Sequence, residues 1–286
     1  MARLQYLYKV IQEFASVAEK SCPYCRGVDL ELIGTKWVVL QLLRCRECKL
    51  MFRYPKDNTK TNLAFYEEQY YETGITSDIP NDQLLEQYLS TSFLNTEKDF
   101  SEKIQIIKRF SNEGKILDYG CSWGYGTWQF KKVGFDAVGF EISKTRADFG
   151  RKKLGLSILD EAADLKQLKN KSFDVIFTNH ALEHLPNLFG VFDTFYNLLN
   201  ANGYLMIFVP NCIGVDNKKV FNSKKSYAFG EKHSLAFDRY FFEINLPKHG
   251  FEVQCTSSPY EINDLFSRKE NPYNAEYSEL FVLGKK

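Results

Sequence analysis

From residue 114 onward, short apolar runs alternate with segments of helical spacing, and this alternation limits the fold more than any other feature of the chain. Strands are predicted over the following ranges: 115–120, 135–141, 156–160, 172–182 and 203–210. Helices are predicted between or after them at 124–133, 143–154, 187–200 and 234–247, and two further strands at 251–258 and 278–285. Strands separated by helices favour a parallel sheet that is covered by helices on both faces. The sequence therefore predicts an α/β fold.

A turn rich in small residues joins the first of these strands to the first helix, and it reads Asp118-Tyr-Gly120-Cys-Ser122-Trp-Gly124. Gly120 permits a tight turn, and Gly124 permits close backbone approach at the start of the helix. A dinucleotide-binding fingerprint needs a glycine at the position of Ser122, and a phosphate loop needs Gly-Lys-Ser/Thr, which is absent. An acid followed by spaced small residues favours a cofactor that has no pyrophosphate. The Asp118 carboxylate would then face a cationic amino acid moiety of that cofactor.

Two further positions point to a nucleoside. Glu141 ends the second strand, 21 residues after Gly120, where a carboxylate can accept hydrogen bonds from both ribose hydroxyls. Glu161 and Ala162 follow the third strand, where they could flank an adenine.

At this point the sequence resembles the class I S-adenosylmethionine-dependent methyltransferases of the small-molecule branch, over roughly residues 110–286. The resemblance lies in the following residues: Asp118-x-Gly120-x-Ser122-x-Gly124, Glu141, Phe173-Asp174-Val175-Ile176 and Leu182-Glu183-His184. Ser122 replaces the commoner middle glycine of the loop. The resemblance implies a Rossmann-like seven-stranded methyltransferase sheet whose last strand is antiparallel.

The same resemblance implies roles for individual residues. Asp118 and Gly120 would line the methionine portion of S-adenosylmethionine, with Ser122 and Gly124 in the same cofactor loop. Glu141 would hold the ribose, and Ile142 and Ala162 would sandwich the adenine next to Glu161. Asn179 or His180 would lie near the sulfonium.

Four of the seven cysteines form two C-x2-C pairs that are separated by nineteen residues: Cys22, Cys25, Cys45 and Cys48. Two such knuckles joined by a hairpin give the tetrahedral four-thiolate coordination of a structural Zn²⁺ site. Gly34-Thr35 lies between two β-prone runs and predicts the turn of a two-stranded ribbon. A redox dithiol would need only one pair.

The predicted organisation is an amphipathic helix over 1–20, a zinc ribbon over 21–60, a helical linker or lid over 61–112 and a methyltransferase domain over 113–286. The first helix is expected to pack on its own domain or on a second copy in a homodimer. Within the linker, residues 82–110 have the spacing of a continuous aromatic-rich helix, which packs as core or covers the mouth of the following site.

The sequence indicates least about the methyl acceptor and the general base. His233, between the fifth strand and the next helix, is the first candidate for the base, and His180, just after the fourth strand, is the second. His184 is expected to shape the pocket and His249 to end a helix. The lysine-rich stretch 216–233 is either a solvated loop or a clamp for a phosphate-bearing acceptor.

A four-cysteine ribbon before a methyltransferase domain resembles bacterial sugar and surface-polysaccharide methyltransferases, including C-methyltransferases whose additional C-terminal domain is not in this sequence. We therefore expect O-methylation of a sugar, a nucleotide sugar or a surface-polysaccharide intermediate. The alternatives are a zinc-bearing rRNA base methyltransferase and a non-catalytic binding module. The net charge of +1 argues against nucleic acid as a partner. No membrane span or signal peptide is recognised, and the cysteine usage favours the cytoplasm.

Overall fold

The computed structural model describes residues 20–36, 40–55, 78–168, 170–213, 233–258, 260 and 279–286. The helix predicted over 1–20, the first part of the linker and the lysine-rich stretch up to residue 232 lie outside the described residues, apart from Lys20. No helix among the described residues is long and apolar enough to cross a membrane.

The strands and helices follow one another in an order close to the predicted one. The strands are β1 (Leu30–Lys36), β2 (Leu40–Cys45), β3 (Met51–Tyr54), β4 (Lys115–Tyr119), β5 (Asp136–Phe140), β6 (Ser157–Leu159), β7 (Phe173–Asn179), β8 (Leu199–Pro210), β9 (Leu235–Ala236), β10 (Glu252–Ser257) and β11 (Glu279–Lys285). The helices are α1 (Asp82–Ser90), α2 (Ser101–Lys108), α3 (Tyr125–Lys132), α4 (Lys144–Leu154), α5 (Ala162–Gln167), α6 (Val191–Leu198) and α7 (Arg239–Asn245). Short 3₁₀ turns occupy Leu182–His184 and Leu246–His249.

Seven strands form the main sheet in the order β10-β11-β8-β7-β4-β5-β6. The strands from β6 to β8 are parallel, and β11 is antiparallel to both of its neighbours. The predicted α/β fold with an antiparallel last strand is therefore confirmed. The middle of β7, residues 175–177, is buried and apolar, as expected for a strand covered on both faces.

Three helix predictions were too long. The predicted helix 82–110 is two helices, because Ser92, Phe93 and Asn95 have positive φ values of 52°, 65° and 58° that end α1. The predicted helix 187–200 ends at Leu198, where β8 begins directly. The predicted helix 234–247 begins only after Asp238, whose side chain caps α7.

The predicted two-stranded ribbon between the knuckles is present as the antiparallel pair β1 and β2, and β3 and β9 extend it to a second sheet of four strands, β1-β2-β3-β9. Gly34 and Thr35 are not the hairpin turn: both lie inside β1 and pair with Leu42 and Gln41 of β2. The fourth strand, β9, comes from almost 200 residues further along the chain and pairs with β3. Sequence periodicity could not show this pairing, since a two-residue strand has no measurable period.

The small sheet is attached to the main one by both packing and hydrogen bonds. Tyr24, within the first knuckle, contacts Phe192 of α6 and Phe241 of α7 edge to face. Its hydroxyl lies 2.7 Å from His249 Nε2. The buried Asn245 side chain donates to the Cys48 carbonyl at 2.8 Å. The cysteine-bearing segment and the main sheet thus share one continuous core.

Residues 78–100 cover the loop that follows β4. The buried Trp123 of that loop donates through Nε1 to the Asp78 carbonyl at 3.0 Å, and its ring lies against Phe93. Leu85 and Tyr88 of α1 belong to the same buried cluster. This part of the predicted linker packs on the candidate cofactor loop.

Candidate active site

The loop between β4 and α3 has the backbone conformation that its glycines predict. Gly120, Ser122 and Gly124 have φ values of 80°, 54° and 88°, in the left-handed region that glycine tolerates best. A Cβ added to Gly120 would lie 2.4 Å from the Ala181 Cβ, so no larger residue fits there. Ser122 adopts the strained conformation without being glycine, and its hydroxyl accepts a hydrogen bond from Arg146 at 2.8 Å.

Glu141 connects this loop to the next strand. The residue directly follows β5, and its carboxylate accepts hydrogen bonds from the Ser122 N–H at 3.0 Å and the Ser143 N–H at 2.8 Å. Burial raises the pKa of Glu141, and the two N–H donors together with Arg146 partly offset this increase. A carboxylate has four lone-pair sites, so two remain for hydroxyl donors such as those of a ribose.

Asp118 lies at the end of β4 beneath the loop, and it is only 3% exposed. Its carboxylate accepts a hydrogen bond from Thr127 Oγ1 of α3 at 2.7 Å. Burial raises the pKa of Asp118 to about 7 despite this bond. The contacts observed for Asp118 secure the start of α3, and its predicted contact with the cofactor stays a prediction.

The residues predicted to surround an adenine lie at the adjacent end of the sheet. Ile142 is half-buried against the main core. Glu161 and Ala162 are exposed after β6, and the Glu161 side chain forms a capping box with Asp164 at the start of α5. Their position next to Glu141 in strand order agrees with the prediction, but the Glu161 carboxylate is already used as a helix cap.

Asn179 ends β7 at the same edge of the sheet. Its Oδ1 is buried, and it accepts no hydrogen bond from the residues that the structure describes. Unsatisfied buried polar atoms are rare in native proteins and often mark a place where a ligand binds.

His180 follows with a positive φ of 50° and lies between two carboxylates. Its Nδ1 is 3.2 Å from Glu183 Oε1, and its Nε2 is 2.5 Å from Glu279 Oε1 at the start of β11. Burial lowers the pKa of His180, but the hydrogen bonds to Glu183 and Glu279 outweigh burial and raise it to about 9. At neutral pH the ring is therefore protonated and poorly suited to the role of general base.

His233 lies beside His184 and Glu183, although the sequence separates it from them by about fifty residues. The two imidazole rings meet edge to face with centroids 4.8 Å apart. The backbone of Ser234 holds this arrangement, because its N–H donates to the Glu183 carbonyl and its carbonyl accepts from the Arg53 N–H, each at 2.9 Å. The small sheet therefore helps to bring His233 to the edge of the main sheet.

The side chain of Glu183 is 1% exposed. Burial raises its pKa, but the His180 ring, together with His184 and His233, outweighs burial and lowers it to about 2. A buried, ionised carboxylate thus lies among three imidazoles.

The sequence did not single out Glu183 and Glu279 as functional by charge or spacing. Glu183 was noted only as part of the Leu-Glu-His signature, and Glu279 comes from the far end of the chain. Arg146 was also missed. The available signal was that a basic residue lies shortly after the end of a strand predicted to carry a cofactor-binding residue.

The four cysteines are brought together by two knuckles of the same design. In each, the N–H of the first cysteine donates to the carbonyl five residues later, at 2.8 Å for Cys22 and 2.9 Å for Cys45. The residue four positions after the first cysteine has a positive φ, which is 64° for Arg26 and 66° for Lys49. Backbone N–H groups also point at the sulfurs of the first knuckle, at 3.4 and 3.5 Å.

The thiols fit a tetrahedral zinc site. All four sulfurs lie within 4.8 Å of one another, and the Cys22–Cys48 and Cys25–Cys45 pairs are each 3.5 Å apart. A Zn–S bond of ~2.3 Å implies S···S distances of roughly 3.8 Å in a tetrahedron, close to those observed. No disulfide joins the seven cysteines, all of which lie within the described residues.

The strand order and the loop after β4 are those of the class I S-adenosylmethionine-dependent methyltransferases. The chain belongs to this methyltransferase-domain family: the family model described as "Methyltransferase domain" matches residues 95–256.

Curated relatives match parts of the chain. Phosphoethanolamine N-methyltransferase 1 of Arabidopsis thaliana is 26% identical over 191 residues, which are 63% of this chain and 38% of the relative. The ubiquinone biosynthesis O-methyltransferase of Pelagibacter ubique (strain HTCC1062) is 32% identical over 121 residues, which are 41% of this chain and 50% of the relative. The chain thus spans half or less of the length of these relatives.

Solved structures agree on the fold. A phosphoethanolamine N-methyltransferase 2 of Haemonchus contortus in complex with S-adenosyl-L-methionine superposes with a TM-score of 0.52 at 14% identity, over 82% of this chain and 61% of the other. A SAM-dependent methyltransferase from Archaeoglobus fulgidus gives a TM-score of 0.51 at 16% identity, over 70% and 99% of the two chains.

Proposed function

We propose that this chain transfers a methyl group from S-adenosylmethionine to a small-molecule acceptor. The observation that carries the proposal is the bond between Glu141 and the Ser122 N–H, which fixes the glycine-rich loop beside a carboxylate with free lone pairs. When bound, S-adenosylmethionine supplies an electrophilic methyl group on a sulfonium. Family membership and the orphaned oxygen of Asn179 at the same edge also support the proposal.

The chain's own residues would divide the work along the sheet edge. Glu141 holds the ribose hydroxyls, Ile142 and Ala162 cover the adenine, and Gly120 leaves room for the methionine portion. Asn179 offers its amide near the sulfonium. Because the methyl group is already activated, much of the rate enhancement comes from orienting the acceptor in line with it.

The acceptor's proton would be taken by His233, the first candidate from the sequence. Its ring lies beside the buried carboxylate of Glu183, with ligand-type atoms of the two side chains within 4.8 Å of each other. His180 is the weaker candidate, because both of its ring nitrogens are already bonded to the carboxylates of Glu183 and Glu279.

For the acceptor itself we propose a phosphate-bearing small molecule that is methylated on a hydroxyl, with nucleotide sugars as the first class to test. A second candidate is the amine of phosphoethanolamine, since the curated relatives include enzymes named for that substrate. Structured rRNA is less favoured, because a net charge of +1 gives no general attraction for nucleic acid.

The cysteine cluster is proposed to hold one structural Zn²⁺ through Cys22, Cys25, Cys45 and Cys48. All four coordination positions are filled by thiolates, so the ion would stabilise the small sheet and take no part in the transfer. The domain limits, a homodimer and a cytoplasmic location likewise remain predictions.

A turnover screen tests the acceptor. The purified protein is incubated with S-adenosylmethionine and, separately, with nucleotide sugars, phosphoethanolamine, unphosphorylated sugars or rRNA, and S-adenosylhomocysteine is quantified. We expect product with at least one phosphate-bearing small molecule and none with its dephosphorylated form. Turnover with rRNA alone would replace this proposal with the nucleic-acid alternative, and cofactor binding without turnover on any acceptor would favour a binding module.

A further inference from the structure

A second group of metal-type side chains lies at the edge of the main sheet, apart from the four cysteines. Glu183, His184 and His233 each offer one ligand atom, and these atoms all lie within 4.8 Å of one another. Glu183 and His184 come from the 3₁₀ turn after β7, and His233 comes from the residues before β9. The Ser234 N–H, which donates to the Glu183 carbonyl, fixes the two segments together.

An independent observation concerns the Glu183 carboxylate. Its Oε1 faces His180 Nδ1 at 3.2 Å, whereas its Oε2 is buried and has no hydrogen-bond partner among the described residues. A buried charged oxygen without a partner costs more free energy than a neutral one. A cation bound among Glu183, His184 and His233 would satisfy this oxygen.

We propose that Glu183, His184 and His233 form a binding site for one divalent first-row transition-metal ion. Two imidazoles and one carboxylate are donors that suit Zn²⁺, Fe²⁺, Co²⁺ or Mn²⁺. Three protein ligands leave coordination positions open for water or for a ligand oxygen. His180 orients the carboxylate from outside the group, as hydrogen-bonded neighbours do for metal ligands in general.

The position of the ion at the sheet edge would let it activate the acceptor, an inference that rests on the proposed function. Glu183 contacts His180, which follows Asn179 at the end of β7, so an acceptor oxygen at the sheet edge would complete the coordination and lose its proton to a water molecule more readily. His233 would then act as a ligand and the metal would activate the acceptor. In the metal-free protein, His233 remains the base.

Binding is tested with Mn²⁺ alone on the full-length, zinc-loaded protein, without cofactor or acceptor. Mn²⁺ prefers oxygen and nitrogen to thiolate ligands, so the cysteine cluster does not compete for it. Free Mn²⁺ is followed by its electron paramagnetic resonance signal during the titration. We expect one saturable site per chain, with affinity at least 10-fold weaker in both His233→Ala and Glu183→Gln.

His249→Ala is the matched control, because it removes an imidazole that contacts Tyr24 and Asp193 instead of this group. It should bind Mn²⁺ like the wild type. Glu183 is buried and its variant can misfold, so circular dichroism is recorded for each variant and the half-buried His233 provides the second test. The proposal is overturned if the wild type binds neither Mn²⁺ nor Co²⁺ saturably, or if folded His233→Ala binds as tightly as the wild type. Cofactor binding is measured separately, so failure here leaves the methyltransferase proposal intact.

Discussion

Asp118 shows how one buried side chain couples the cofactor loop to protein stability. The carboxyl is 3% exposed, and burial raises its pKa to about 7 from the 3.8 of an exposed aspartate. An acid with a raised pKa in the folded state destabilises that state when it ionises. The cost is absent below pH 4, grows as the pH rises through the interval between the two values, and is fully present above pH 7.

Replacing Asp118 with asparagine should therefore help most at high pH. The asparagine side chain would still accept the hydrogen bond from Thr127 but would carry no charge. We expect the Asp118→Asn change in the free energy of unfolding to be more favourable at pH 8 than at pH 5, by about 2 kcal/mol. Urea denaturation at the two pH values measures it. A change that is equal at both would show that the carboxyl is not strained by burial.

His233 lends itself to a kinetic test. We expect His233→Ala to lower kcat by roughly 10²- to 10⁴-fold, the usual contribution of a general base, while the Kd for S-adenosylmethionine changes little. His249→Ala serves as the control. Loss of turnover is expected whether His233 accepts the proton or binds a metal, and the Mn²⁺ titration separates the two. Unchanged turnover would remove His233 from the reaction.

At the scale of elements, the small sheet does more than bring the four cysteines together. β3 accepts β9 as its partner, and the Arg53 N–H of β3 donates to the Ser234 carbonyl next to His233. The cysteine cluster, β3, β9 and the sheet edge thus form one connected path. Distortion at the cysteines should be transmitted to His233 through these backbone bonds.

Cys45→Ser tests this path. Loss of one thiolate should release Zn²⁺, detected by elemental analysis, and destabilise the protein by several kcal/mol, since metal binding contributes directly to the folding of such segments. Turnover should fall along with zinc content. Cys255→Ser, at a buried cysteine in β10 outside the cluster, is the control and should keep its zinc. Wild-type protein that holds no zinc after purification in metal-replete buffer would contradict the site.

Asp238 connects the small sheet to α7. Its side chain accepts from the Phe241 N–H at 3.1 Å as the helix cap, and it lies 3.5 Å from Arg44 of β2. We expect Asp238→Ala to lower the free energy of unfolding by about 1–3 kcal/mol, and Asp238→Asn, which keeps the cap but removes the charge, to lower it less. Thermal denaturation of the two variants measures both losses of stability. If the two variants lose equal stability, the helix cap contributes nothing.

At the scale of the whole molecule, local pattern predicted the strands of the main sheet and their order along the chain, because most of their residues are apolar, and the family resemblance implied the seven-stranded sheet. The cysteine spacing likewise predicted the cluster. The pairing of β3 with β9 and the approach of Glu279 to His180 are contacts between residues far apart in the chain, and no local pattern encodes them.

The same distinction applies to the candidate site. Asp118 and Glu141 were proposed because each is an acid at or near the end of a strand, and Asn179 was proposed because the family resemblance implied it. Glu183 was not chosen as functional, since its burial among histidines depends on where His233 lies. The split of the predicted helix 82–110 was missed because its apolar spacing continues through residues 91–100, whose backbone turns away.

The most direct test of the central claim is isothermal titration of S-adenosylmethionine into the wild type and into Glu141→Ala. Because Glu141 would provide charge-assisted hydrogen bonds to the ribose, we expect one site per chain, weakened roughly 10- to 100-fold by the substitution. Glu141→Gln, which keeps the side chain's shape, should also bind more weakly, whereas Glu252→Ala, at an exposed position of β10, should bind like the wild type. A folded Glu141→Ala variant that binds S-adenosylmethionine as tightly as the wild type would contradict the account.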